Sequence, residues 1–288
     1  MAQPEVVSRE FSDCDPAEQG EELADIPQSS AEVADIAQSC SEDILASLQV
    51  TDEDVQLLLA APQRYADGRA HKVWLEGRRN RLTASRFASA CGAQGARGGR
   101  RAAVGWMLSL PEASPSQASR FGIQNEGEAR EAYLSWRREG APNVEVREVG
   151  LCVWREEPWL AGSPDGVCFE VGKPTGLLEV KTARYWNEAF ERDELPVDWT
   201  YQVHGCMKLA SAALGESITW CDLFLWTPEQ QACRRIDFDE NLWLKVMFPA
   251  LRCFYFEHFL PEAAERERRR KLPKRQKNGR RKTNRKGR

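Results

Sequence analysis

The stretch GSPDGVCFEVGKPTGLLEVK, residues 162–181, combines two strand-like segments with three charged residues of special interest. Asp165 lies in a turn that the neighbouring glycines and proline favour. Glu179 and Lys181 flank a single apolar residue on the second segment. Because side chains two positions apart point to the same face of a strand, Glu179 and Lys181 share one face. The turn allows the Asp165 carboxylate to approach that face.

Two convergent carboxylates repel each other, and their removal from water is costly. A hard divalent cation removes both difficulties, and Mg²⁺ commonly binds one or two carboxylates together with water and a substrate phosphate. Charged residues that alternate on a half-exposed strand would produce the same spacing. Asp165, Glu179 and Lys181 therefore predict either a Mg²⁺ site or a row of solvated charges.

A predicted helix over residues 115–138 supplies a third carboxylate. Apolar residues recur there at helical spacing, and Ala129 and Tyr133 define the buried stripe. Glu126 lies three residues before Ala129 on that stripe, so its carboxylate would be directed at the sheet. A cation-binding site explains this placement. The alternative is that Glu126 lies near the start of the helix and interacts only with the helix dipole.

A second predicted helix, from Asp198 to Leu214, places Gln202 on the same face as Cys206 and Leu209. A glutamine on an apolar face is either a hydrogen-bonded core amide or part of a polar site, and the sequence leaves both open. The three histidines show no metal-binding spacing, and the nine scattered cysteines include no CxxC pair. Zinc binding and histidine-based catalysis are therefore not expected.

The predicted elements follow the order helices, mixed strands, helix, hairpin and helix. Strand-like runs fall at residues 144–154, 159–161, 167–171 and 176–182. The hairpin covers residues 217–226 and 232–238, and Asp239 is expected to cap a helix that Pro261 ends. This order predicts a single α/β (α+β) domain in which a mixed central sheet is flanked by helices.

The two ends of the chain carry opposite charge. Residues 1–62 contain fifteen acidic residues and one arginine, whereas residues 261–288 contain fourteen basic and three acidic residues. This composition predicts an acidic, mostly disordered leader and a basic, disordered tail around a folded domain at residues 63–260. The basic tail suits either nuclear import or non-specific DNA binding, and its charge alone does not separate the two.

No apolar run is long enough to span a membrane, and the N-terminus lacks the basic and apolar segments of a signal peptide. The odd, scattered cysteines are typical of reduced thiols. We therefore expect an intracellular protein without a membrane span. It would be nuclear in a eukaryotic cell, because of its basic tail, and cytoplasmic otherwise.

Five motifs, in this order, resemble the YqaJ-type viral recombinase family, which includes the phage lambda exonuclease. They are RLTAS (81–85), FGIQNEGEAREAY (121–133), SPDG (163–166), LLEVK (177–181) and YQVHGCMKLA (201–210). The resemblance covers residues 74–259. It implies membership of the PD-(D/E)xK nuclease superfamily and a restriction-endonuclease-like core.

The resemblance also assigns roles to individual residues. The ligands of Mg²⁺, for which Mn²⁺ can substitute, would be Asp165, Glu179, the backbone carbonyl of Val180 and, for a second ion, Glu126. Lys181 would orient or deprotonate the attacking water, and Gln202 occupies the position of a glutamine close to the catalytic centre. Arg78 falls where the family binds the 5′-phosphate of DNA, with Ser85 assisting. Arg81 is the alternative arginine at that position.

The function implied by the resemblance is a metal-dependent deoxyribonuclease, specifically a 5′→3′ exonuclease on double-stranded DNA ends that acts in recombination or repair. Double-stranded DNA would be the substrate, and a single-strand annealing protein and further copies of the chain would be partners. Two alternatives stay open. One is an endonuclease or nickase of a mobile element or virus, and the other is a non-catalytic DNA-binding protein with the same fold.

Overall fold

The computed structural model describes residues 30–65, 67–109, 117–186 and 194–271. The helices in these ranges are α1 (Ser30–Leu48), α2 (Asp52–Ala60), α3 (Lys72–Gly77), α4 (Phe87–Cys91), α5 (Arg100–Ser109), α6 (Gln117–Arg138), α7 (Val197–Leu214), α8 (Glu240–Leu242), α9 (Phe248–Cys253) and α10 (Leu260–Lys271). The strands are β1 (Leu82–Thr83), β2 (Glu145–Arg147), β3 (Cys152–Val153), β4 (Leu160–Gly162), β5 (Gly166–Glu170), β6 (Lys173–Thr182), β7 (Trp220–Trp226) and β8 (Gln231–Asp237).

The strands form one five-stranded sheet, in the order β2-β5-β6-β7-β8, and one three-stranded sheet, in the order β1-β4-β3. β6 pairs antiparallel with β5 and parallel with β7, so the larger sheet is mixed. The parallel pair requires a crossover connection, which contains α7. β7 and β8 form the predicted hairpin. The prediction of a mixed sheet flanked by helices is confirmed.

Helices cover both faces of β6. Leu178 faces α6, where it packs in one core with Ala129 and Tyr133. Leu177 faces the opposite side and belongs to the larger core with Leu209 of α7. The alternation of side chains along the strand produces this division. Glu179 is two residues after Leu177, and it therefore faces α7.

The predicted disordered leader at residues 1–62 is wrong for residues 30–60, which form α1 and α2. Ile44, Leu48, Val55 and Leu59 are buried in the main core. These apolar residues recur four positions apart, so that each helix buries one stripe and exposes its many carboxylates. The acidic composition conceals that stripe. Residues 1–29 lie outside the described residues.

The predicted disordered tail at residues 261–288 is wrong for residues 261–271, which belong to α10, and Pro261 does not end the preceding helix. A π-helical turn (Phe254–Phe259) comes just before α10, as another (Trp243–Met247) comes before Pro249 of α9. A proline lacks the N–H of a regular helix and its ring crowds the preceding turn, and a widened turn accommodates both effects. Residues 272–288 lie outside the described residues.

None of the helices in the described part of the chain is long and apolar enough to cross a membrane. The eight cysteines described there are free thiols, and five of them are buried. Asp239 caps α8 as predicted, with its carboxylate accepting a hydrogen bond from the Leu242 N–H at 3.0 Å. Asp198 is not an N-cap, because α7 begins one residue earlier at Val197.

Candidate active site

The turn before β5 places Asp165 beside the C-terminal part of β6. Gly166 is required there, since a Cβ atom at this position would lie 2.4 Å from Cγ1 of Val146. The Val180 N–H donates a 2.7 Å hydrogen bond to Oδ2 of Asp165. Asp165 is thereby fixed next to the residue that follows Glu179.

Glu179, Lys181 and Gln202 form a closed set of hydrogen bonds. Lys181 Nζ donates to Oε1 of Glu179 at 2.7 Å and to Oε1 of Gln202 at 3.0 Å. The Gln202 amide donates to the same Glu179 oxygen. β6 supplies the first two residues, and α7 supplies the third. Gln202 is therefore part of a polar site and not a core amide.

The Glu179 carboxylate is buried and only half satisfied. The residue is 3% exposed, and its Oε2 atom has no hydrogen-bond partner in the part of the chain that the structure describes. Burial and the negative charge of Asp165 raise the pKa of Glu179 to about 8. Burial also raises the pKa of Asp165. Two carboxylates in this position gain stability as anions only from an additional positive charge.

Glu126 approaches this pair from α6. Burial and the charge of Asp165 raise the pKa of Glu126, which shows that the two carboxylates are close. Arg130 donates a 3.2 Å hydrogen bond to Glu126 and also binds Glu148. Because α6 begins at Gln117, Glu126 is more than two turns from its start. The helix-dipole alternative is therefore wrong.

The donor set suits Mg²⁺. Among the described residues, no three His, Cys, Asp or Glu side chains form a complete metal site by themselves. Mg²⁺ does not need one, because water and substrate phosphate provide much of its coordination. In a strand, the N–H and C=O of one residue point to the same edge. Since the Val180 N–H points to Asp165, the Val180 carbonyl is directed to the edge where Asp165 lies.

Arg78 lies in a separate polar cluster that contacts the same turn. The residue is 9% exposed, and its guanidinium lies 4.3 Å from the centre of the Trp74 ring and 3.3 Å from Oγ1 of Thr83. Burial lowers the pKa of Arg78 to about 10. The Trp74 indole N–H in turn donates a 2.8 Å hydrogen bond to Oγ of Ser163, two residues before Asp165.

Ser85 and Arg81, the other predicted phosphate-binding residues, lie in different surroundings. Ser85 is exposed, in a 3₁₀ turn (Ala84–Arg86) between β1 and α4. The predicted helix start at Thr83 or Ser85 is wrong, because Thr83 ends β1. Arg81 is 5% exposed. Its guanidinium donates to three backbone carbonyls, those of Leu48, Gly77 and Pro158, at 2.7, 2.7 and 2.8 Å. Arg81 therefore holds the fold together, and its assignment to a phosphate site is wrong.

Residues 73–213 match the family model of the YqaJ-like viral recombinase domain. This part of the chain is a YqaJ-like viral recombinase domain. An alkaline exonuclease from Laribacter hongkongensis, LHK-Exo, has the same fold, with a TM-score of 0.53 and 24% sequence identity over 68% of this chain and 96% of that chain. LHK-Exo in complex with dAMP matches with the same values. No match is found among curated protein sequences.

A pocket of about 330 Å³ opens beside the acidic centre of the YqaJ-like domain. Glu126, Arg130 and Asp165 form one side of it. The other side comes from the loop between α2 and α3, which precedes the YqaJ-like domain in the sequence and contributes Gln63 and Arg64. The pocket is therefore completed by residues that the family model does not include.

Gln63 is a positioning residue that the sequence did not reveal. Its Nε2 atom donates to the carbonyls of Val149 and Pro164, both at 3.0 Å. Pro164 directly precedes Asp165, so this amide fixes the backbone that carries the carboxylate. No local pattern marks such a glutamine, because its acceptors lie 86 and 101 residues away in the sequence. Ser163 was detectable within the SPDG motif of the YqaJ-like domain, but its contact with Trp74 was not.

Proposed function

We propose that this chain is a divalent-metal-dependent deoxyribonuclease that degrades double-stranded DNA from a 5′ end and acts in recombination or repair. The observation that carries the proposal is the buried, half-satisfied Glu179 carboxylate beside Asp165, inside a YqaJ-like viral recombinase domain. Ionisable groups with strongly shifted pKa values in a cleft are typical of active sites. The structural neighbour LHK-Exo is an alkaline exonuclease, and one of its structures contains dAMP.

The acidic centre would hold the metal. Asp165, Glu179 and the Val180 carbonyl would bind one Mg²⁺ or Mn²⁺ ion, and Glu126 would help to bind a second. The bound metal would neutralise charge on the scissile phosphate and lower the pKa of a coordinated water. The partly buried surroundings of these carboxylates strengthen their interaction with a cation compared with bulk water.

Lys181 and Gln202 would position the attacking water. The Lys181 ammonium has three N–H donors, and Glu179 and Gln202 accept two of them. The third donor remains for a water or a phosphate oxygen. Because the Gln202 amide fixes both the ammonium and the carboxylate, the direction of that third donor is set before substrate binds.

Arg78 and Ser85 would recognise the 5′ end. A terminal phosphate carries more negative charge than an internal one, and a guanidinium binds it bidentately. Arg78 is buried without a carboxylate partner among the described residues, so an anionic ligand would compensate its positive charge. The exposed Ser85 hydroxyl would add a donor from the following turn.

All side chains of the acidic centre come from a single chain. A single-strand annealing protein or further copies of this chain would therefore affect processivity and product handling, not the composition of the site. A recombination role would require the 3′-ended strand left by 5′ degradation to be passed to such an annealing partner.

Digestion of matched DNA substrates tests the proposed function. Linear duplex with 5′-phosphate, linear duplex with 5′-hydroxyl and covalently closed circular duplex would be incubated with Mg²⁺ or with EDTA. We expect mononucleotide release from the linear substrates in Mg²⁺ only, fastest from the 5′-phosphorylated ends. Nicking of the closed circle would support the endonuclease alternative, and binding of all substrates without cleavage would support the non-catalytic alternative.

A further inference from the structure

The loop between α2 and α3 is held in a fixed shape beside the acidic centre. The Tyr65 N–H donates to the Arg69 carbonyl at 2.8 Å, and the His71 N–H donates to the Gln63 carbonyl at 2.9 Å. Arg64 and Ala70 form a single antiparallel bridge between these two bonds. The position of the Arg64 side chain is therefore set by paired backbone and not by a free loop.

Arg64 differs in its partners from the other arginine of the pocket. Arg130 is bound to two carboxylates, those of Glu126 and Glu148. Arg64 makes one recorded hydrogen bond, from Nη1 to the Gly68 carbonyl at 3.3 Å, and it forms no ion pair in the described part of the chain. It is a half-buried cation. A charge in this environment gains stability from an anion.

The charge of Arg64 acts on both polar clusters of the candidate active site. Burial raises the pKa of Asp165 and of Glu126, and the positive charge of Arg64 counteracts this rise in both cases. Burial lowers the pKa of Arg78, and Arg64 contributes further to that decrease. Arg64 is therefore close enough to influence the acidic centre on one side and the proposed 5′-phosphate site on the other.

We propose that Arg64 binds a backbone phosphate of the DNA strand that passes between Arg78 and the acidic centre. The pocket is open to solvent, and Arg64 is the cation on its wall that no carboxylate of the described residues neutralises. A phosphodiester offers two acceptor oxygens in the geometry that a guanidinium matches. This residue lies outside residues 73–213, so it would give the nuclease a substrate contact that the YqaJ-like domain itself lacks. The inference rests on the proposed function.

Salt-dependent DNA binding by full-length Arg64→Met and Arg64→Lys proteins tests this assignment. Arg69→Met is the matched control, because it removes the same charge from the same loop at a side chain that is 79% exposed and paired with Asp67. Binding of 5′-phosphorylated duplex would be measured in EDTA over a range of salt concentrations. The Mg²⁺-dependent rate would be measured separately, and thermal unfolding would confirm that each variant folds.

We expect Arg64→Met to weaken binding about tenfold to a hundredfold and to reduce the slope of log K against log salt by about 0.9. Arg64→Lys should recover the slope but only part of the affinity, since an ammonium keeps the charge and loses the bidentate geometry. Arg69→Met should change the affinity by less than about threefold.

Equal effects of Arg64→Met and Arg69→Met would overturn the assignment, because they would indicate only general attraction by the loop. If Arg64→Met does not fold, wild-type affinity of Arg64→Lys would overturn it instead. The binding measurements contain no Mg²⁺, so they remain informative if the wild-type protein fails to degrade DNA. Failure to degrade DNA would contradict the proposed function alone.

Discussion

The Trp74 indole N–H donates a 2.8 Å hydrogen bond to the Ser163 hydroxyl. This bond joins the two polar clusters of the molecule, because the Trp74 ring carries the Arg78 guanidinium and Ser163 lies two residues before Asp165. In the proposed exonuclease, the distance between the 5′-phosphate site and the acidic centre would therefore be fixed by direct contacts. A fixed distance would set the number of nucleotides removed in each cleavage.

Replacement of either central carboxylate should abolish hydrolysis. Asp165→Asn and Glu179→Gln each remove a negative charge that the metal would require, and we expect the rate to fall by at least about 10²–10³-fold. Binding of duplex DNA in EDTA should remain within about threefold of wild type, since no phosphate-binding cation changes. Near wild-type activity of either variant in Mg²⁺ would show that the metal assignment is wrong.

Arg78→Ala should remove the preference for phosphorylated ends. The rate on 5′-phosphorylated duplex should fall about tenfold or more, toward the rate on 5′-hydroxyl duplex, because a bidentate charged contact is lost. Paired rate measurements on the two substrates check this. Arg79→Ala, at an exposed neighbouring arginine, is the control and should keep the preference. A wild-type enzyme without any 5′-phosphate preference would contradict the Arg78 assignment.

Arg81→Met should destabilise the protein without a specific effect on the DNA end. Loss of the guanidinium leaves the buried carbonyls of Leu48, Gly77 and Pro158 without their donor. We expect the free energy of unfolding to decrease by about 3 kcal/mol or more. Urea denaturation measures this, with Arg79→Met expected to stay within about 0.5 kcal/mol of wild type. An Arg81→Met protein of normal stability that loses only its 5′-phosphate preference would restore the phosphate-binding role.

Deletion of residues 272–288 should weaken DNA binding and flatten its salt dependence. The segment carries nine basic and no acidic residues, and each phosphate contact contributes about −0.9 to the slope of log K against log salt. The rate at saturating DNA should not change. Deletion from residue 262 is a different experiment, because it also removes Ala263 and Ala264 from the core, and should lower stability.

The central part of the site followed from the sequence because its geometry is local. Strand alternation fixes Glu179 and Lys181 on one face, and helical spacing turns Glu126 toward the sheet. The roles of three neighbouring arginines did not follow, since they depend on partners distant in the sequence. Arg81 binds the Leu48 carbonyl, 33 residues earlier, whereas Arg79 is exposed.

Composition misled the prediction at both ends of the chain. The acidic charge of residues 30–60 indicated disorder, although Cys40, Ile44 and Leu48 recur at helical spacing and could have revealed α1. At the other end, Pro261 indicated a helix end because the preceding π-helical turn has no recognised sequence signal. Charge counts describe a whole segment, whereas a helix needs only a narrow apolar stripe to be stable in a folded protein.

The contact between α1 and α10 has a consequence for biosynthesis. Cys40, Ile44 and Leu48 share a core with Leu260, Ala263 and Ala264, and Lys271 forms a 2.8 Å ion pair with Asp43. A ribosome makes α1 among the first helices and α10 as the last described one, so α1 has no partner until translation is nearly complete. The nascent chain therefore cannot complete its core during most of its synthesis, and we expect an unfinished chain to remain sensitive to proteases until α10 has left the ribosome.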